Sequence, residues 1–123
     1  MTKFQNGKQK AYDLEKRTEE FARDVRSFIK VIPKTISNIE DGKQVVRSSG
    51  SVGANYIEAN ESLSKKDFIM RIKICRKEAK ESKYWLRLIH TDGQEELHAT
   101  RKRLVKEAAE LMNIFGAILQ KSL

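Results

Sequence analysis

Arg47-Ser-Ser-Gly-Ser-Val-Gly-Ala-Asn-Tyr-Ile-Glu-Ala59 carries Ser49, Gly50 and Gly53 on what the flanking pattern makes a helix. Each glycine costs about 1 kcal/mol against Ala in a helix interior. Such a run is expected where a second backbone presses against the small face, so Ser49, Gly50 and Gly53 are assigned to close helix packing. Downstream lies Lys65-Lys-Asp-Phe-Ile-Met-Arg-Ile-Lys-Ile-Cys-Arg-Lys-Glu-Ala-Lys-Glu-Ser-Lys-Tyr-Trp-Leu86, a long amphipathic segment dense in cations. Together these two stretches decide the fold class: all-α, with helices packed on one another.

Working outward, Leu14, Phe21, Val25, Phe28 and Ile32 repeat at the three-four spacing of one buried face, with Ala22 and Ile29 beside them. They predict a first helix from Ala11 to Val31, stopped by Pro33, which disfavours helical geometry at Ile32. Ser37-Asn-Ile-Glu40 has the spacing of a capping box and predicts the start of a second helix running to Ser62. Gly42 makes Lys43 an alternative start. Ser64 and Asp67 repeat the capping spacing and open a third helix, Lys65 to Ile89. Thr91-Asp-Gly-Gln94 is a turn, followed by a fourth helix from Glu95 to Gln120. Leu97, Leu104, Ala108, Leu111, Phe115 and Ile118 fall on its inner face. Short links make neighbouring helices antiparallel, which gives an up-down-up-down four-helix bundle. Residues 1–10 are read as a flexible N-terminus and residues 11–123 as one domain.

A length of 123 residues suits one domain with a modest core. No apolar run approaches the roughly 20 residues of a membrane span. The first residues lack the apolar segment of a secretory signal. Cys75 is the sole cysteine, so no intrachain disulfide can form and a cytoplasmic location is expected. The formal net charge is +8. It is unevenly spread: residues 64–90 carry nine basic and three acidic groups, whereas residues 91–123 carry five of each.

The third helix holds that excess. At 100° per residue, Phe68, Ile72, Cys75, Ala79 and Leu86 line up as the core stripe. Met70, Ile74, Trp85 and Leu88 form a second apolar line, read as a subunit interface because a corner helix of a monomeric bundle buries only one stripe. Lys66, Lys73, Arg76, Lys77, Lys80, Lys83 and Arg87 fill the remaining arc, along with Lys65, and are read as a nucleic-acid-binding face. Aromatic interleaving is thin, with only Tyr84 near the arc, so neither base stacking nor sequence readout is expected. Glu78 and Glu81 share the sector of the second stripe. With Arg47, Asn55, Glu58 and Arg71 they are assigned to a buried polar network, since buried carboxylates need partners.

Catalytic chemistry finds little support. Ser48, Ser49 and Ser51 lie within a helix and are not presented on a strained elbow. Glu95 and His98 have a Glu-x-x-His spacing, but a di-iron bundle needs two such pairs and two further Glu. They are read as surface residues. Gly50-Ser-Val-Gly53 matches a KH-type Gly-x-x-Gly only superficially, because that clamp sits in an α/β module. Cys75, on the core stripe, is expected to act as a small hydrophobe. No cofactor, metal or small-molecule substrate is expected, and no membrane partner.

Arg47-Ser-x-x-Ser-Val-Gly-Ala-Asn-x-x-Glu-Ala59, then Asp67-Phe-Ile, Lys77-Glu-Ala-x-Glu81 and Tyr84-Trp-Leu86 resemble the four-helix-bundle proteins encoded in intervening sequences of bacterial 23S rRNA genes. Phe21-Ala22, Val25, Phe28 and Pro33 fit the same pattern, so the resemblance spans residues 12–120. It implies a left-handed bundle assembled as a homopentamer. It also implies kinship with accessory proteins of diversity-generating retroelements, which engage a reverse transcriptase and nucleic acid. The family's ribosomal label comes from gene location. The expected role is therefore a non-enzymatic homo-oligomer binding RNA or DNA nonspecifically. The alternative is a scaffold for a partner protein such as a polymerase.

Overall fold

A computed structural model describes residues 13–123. The N-terminal segment 1–10 and the expected helix start at Ala11 lie outside the described residues. Four helices follow in order: α1 Leu14–Val31, α2 Ile36–Asn60, α3 Lys65–Leu88 and α4 Glu95–Ser122. They pack as α1 on α2, α2 on α3, α3 on α4 and α4 back on α1. Side-chain pairs fix the directions. Arg17 meets Glu107 and Glu110 while Asp24 meets Arg103, so α1 and α4 run antiparallel. Arg47 meets Glu81 while Asn55 meets Arg71, so α2 and α3 do too. The described chain is an all-α four-helix bundle with antiparallel neighbours.

The inner stripes supply the core. Phe21, Val25 and Phe28 of α1, Val45 and Val52 of α2, Ile72, Cys75, Ala79 and Leu86 of α3, and Leu104, Leu111 and Phe115 of α4 are all buried. Two positions shift from the sequence reading. Phe68 is only partly buried, because it lies in the first turn of α3, near the bundle end. On α4, Leu119 is buried where Ile118 was expected, and Ile118 is half-buried beside it.

The start of α2 corrects another expectation. Its cap is Thr35, two residues before Ser37, and the Thr35 Oγ1 accepts from the Asn38 amide at 3.1 Å. Asn38 explains the choice. Its side chain is buried, donates to the carbonyls of Pro33 and His90, and accepts from the His90 amide at 2.8 Å. One amide thus ties the α1–α2 link to the α3–α4 link at the same end of the bundle. Ser37 then falls inside the helix, where its hydroxyl cannot cap. Gly42 does not interrupt α2, which runs through it. The cap of α3 is Ser64, accepting from the Asp67 amide at 3.1 Å, as its spacing predicts.

The small residues of α2 sit against α1. Ser49 is fully buried. A Cβ on Gly50 would lie 3.2 Å from an Arg26 guanidinium nitrogen. A Cβ on Gly53 would lie 2.8 Å from Thr18 Oγ1 and 3.1 Å from Thr18 Cβ. Thr18 cannot easily yield: it is β-branched, and its hydroxyl donates to the Leu14 carbonyl at 2.7 Å. Gly53→Ala should therefore lose about 1 kcal/mol of stability despite Ala's better helix propensity. In a Thr18→Ala background the same change should cost clearly less, because the hydroxyl is gone and only the 3.1 Å approach to the Cβ of position 18 remains. Urea melts of the four proteins in this cycle give the coupling. Independent effects at the two sites would refute the close contact.

Candidate nucleic-acid interface

Helix α3 is about 36 Å long, and its outward face is the candidate site. Lys66, Lys73, Arg76, Lys77, Lys80 and Arg87 are exposed, and Lys83 is half-buried. Among the described residues, no carboxylate comes within ion-pair distance of any of the seven. Segment 1–12 contains no Asp or Glu that could cancel them. Arg76 leans toward α4, its side chain passing close to Gly116.

The acids of α3 are held elsewhere. Glu78, almost fully buried, accepts from the Arg47 guanidinium at 3.1 Å, and Glu81 accepts from the same group at 3.0 Å. One residue of α2 thereby removes two carboxylates from the cationic face. Further along this seam Arg71 donates to Asn55 Oδ1 at 2.9 Å, and Asn55 donates to Ser51. Two members assigned to a buried network from sequence are exposed: Glu58, because position 58 falls on the solvent side of α2, and Arg47, whose guanidinium reaches Glu78 from the solvent edge of the seam. Deeper in the seam, Ser48 and Ser82 share a buried hydrogen bond of 2.8 Å.

The second apolar line is only partly covered. Met70 is 55% exposed and Leu88 47%, while Ile74 and Trp85 are half-buried. The indole N–H of Trp85 is shielded from solvent and has no acceptor among the described residues. Lys66, Ile69, Met70, Lys73, Ile74 and Lys77 line a shallow groove of roughly 350 Å³. Its floor is apolar and its rim is three lysines. Ile69 was missed from sequence: on a helical wheel it sits among the cations, between the two apolar lines, yet it is partly buried and packs against the core.

The remaining chemistry-bearing groups are quiet. Cys75 Sγ donates to the Val52 carbonyl at 3.4 Å, and burial pushes its pKa up to about 12, so the thiolate nucleophile is suppressed. Glu95 and His98 are exposed, and the His98 ring meets Arg101. No group of three or more His, Cys, Asp or Glu that could hold a metal ion occurs among the described residues. No described helix is long and apolar enough to cross a membrane.

The family model for the 23S rRNA-intervening sequence protein matches residues 10–116. A crystal structure of a protein of unknown function from the S23 ribosomal protein family of Bacteroides thetaiotaomicron superposes with a TM-score of 0.72. The identity is 28%, and the match covers 85% of this chain and 96% of that one. None of the curated proteins matches.

Proposed function

The chain belongs to the 23S rRNA-intervening sequence protein family, and from that premise we propose that it acts as a non-enzymatic, homo-oligomeric bundle binding RNA or DNA nonspecifically through α3. The observation that carries this reading is the row of seven cations on one face of one helix, without carboxylate partners among the described residues. From Lys66 to Arg87 that row extends about 30 Å. Cations at this spacing can neutralise successive phosphates and release counterions, which supplies affinity without sequence preference. The exposure of Met70 and Leu88 supports oligomerisation as part of this reading. A two-fold dimer that paired α3 antiparallel with its copy through this stripe would bring the flank of Lys66, Lys73 and Lys77 against the same flank of the second copy. A head-to-tail contact that closes into a cyclic assembly avoids this, and the pentamer is the form we propose. A cytoplasmic setting fits a lone, reduced Cys75.

A labelled structured RNA titrated at two salt concentrations tests the binding. Affinity should be present at low salt and fall steeply as salt rises. Salt-insensitive affinity, or none at low salt, overturns it. Light scattering on the same sample should give a multiple of the 14.2 kDa chain, fivefold for a pentamer. A monomer mass removes the assembly. The second reading, a scaffold for a partner protein such as a polymerase, draws on the apolar floor of the Ile69–Met70–Ile74 groove, which phosphates do not use. It predicts weak RNA affinity and a stoichiometric protein partner in pull-downs.

A further inference from the structure

We propose that the α3 face is a track for single-stranded nucleic acid, with the Tyr84 ring as a platform on which one base stacks. The inference rests on the polyanion reading above and narrows it to a substrate class. Sequence alone gave Tyr84 no such role. Three structural observations give it one.

First, Tyr84 is 56% exposed on the outward side of α3, on the same line as Lys66, Lys73 and Lys77. Second, its ring is buttressed. Trp85 meets it edge to face, with centroids 4.9 Å apart and planes at 72°, and Trp85 itself packs against the core. A ring already held in place loses little freedom when a base settles on it. Third, the platform is bracketed by cations. Lys80 lies one turn before it and Arg87 one turn after, on the same side of the helix, and neither has a carboxylate partner among the described residues. The nearest acid in sequence on that side, Glu81, is held by Arg47 at 3.0 Å. Lys80 and Arg87 are about 10 Å apart along the axis. Neighbouring phosphates of one strand can meet both cations while the base between them lies over Tyr84.

The strand must be single. Bases within a duplex are already stacked on one another and offer no free face to a side chain on a convex helix. An unpaired base offers one whatever its identity, so stacking adds affinity without sequence readout. This keeps the proposal consistent with nonspecific binding.

The test compares labelled oligo-dA with a DNA duplex of equal length at low salt, for wild type, Tyr84→Ala and Tyr84→Phe. Tyr84→Ala should weaken oligo-dA binding by about five- to a hundredfold and leave duplex binding unchanged. Tyr84→Phe, which keeps the aromatic face, should bind as wild type. Emission from Trp85, the chain's one tryptophan, should change on adding oligo-dA to wild type and change less in Tyr84→Ala. Position 84 is exposed, so all three proteins should fold alike, which circular dichroism checks. If Tyr84→Ala binds oligo-dA as tightly as wild type, or loses oligo-dA and duplex equally, the platform is refuted while polyanion binding stands. If wild type binds neither strand form, both readings fall.

Discussion

Changing Lys66, Lys73, Lys77, Lys80 and Arg87 together to Glu should lower RNA affinity by about three orders of magnitude or more at low salt. Each reversal replaces an attraction for phosphate by a repulsion, and the five reversals carry the formal net charge from +8 to −2. All five side chains are exposed and none has a described ion-pair partner, so little of the fold depends on them. Lys and Glu have similar helix propensities. Glu at position 66 is favoured by the positive end of the helix dipole, and Glu at position 87 is disfavoured by the negative end, so the terminal effects oppose each other. Helix content and urea midpoint should therefore stay near wild type while binding disappears. Retained binding in a folded variant would place the contact surface elsewhere. Arg17 and Arg103 make a useful control, because both are engaged with carboxylates across the α1–α4 seam. Their replacement should loosen that seam and leave the α3 face intact.

The same division between what faces water and what faces a neighbour decides how much was readable in the chain itself. Helical periodicity depends on local spacing, so the inner stripes of α1 and α3 and the Ser64 cap were legible. The cationic arc was legible for the same reason, since wheel positions need no tertiary knowledge. What failed needed contacts distant in sequence. Thr35 and Ser37 both precede a capping partner by three residues, and the Glu40 carboxylate made Ser37 the better local choice. Asn38 decides otherwise by reaching His90, 52 residues away. Glu58 was grouped with Glu78 and Glu81 by chemistry, yet only the packing of α2 on α3 shows that Arg47 reaches those two. Tyr84 was visible as a residue near the arc. Its value as a platform depends on how Trp85 is anchored, which periodicity does not report.

Phe115→Ala should destabilise the bundle by about 3–5 kcal/mol, the range for deleting a fully buried aromatic ring. Phe115 is 0% exposed and sits on the line of α4 between Leu111 and Leu119. It reaches across the bundle to Tyr56 of α2, with ring centroids 5.6 Å apart. That contact joins helices on opposite corners, so the void opens at the centre, where four helices would have to move together to close it. Collapse should be poor and the loss should lie toward the upper end of the range. Phe115→Leu keeps much of the volume and should cost clearly less. Urea denaturation followed by circular dichroism gives both values, at one fixed protein concentration because assembly would add to apparent stability. Tyr56 supplies an independent readout. Its phenol pKa is raised, chiefly by burial, with the Asn60 hydrogen bond opposing. Opening the core beside it should bring that pKa down toward the ordinary tyrosine value in the Ala variant. A Phe115→Ala protein that loses less than about 1 kcal/mol and leaves the Tyr56 titration unmoved would mean that this ring does not fill the centre of the bundle.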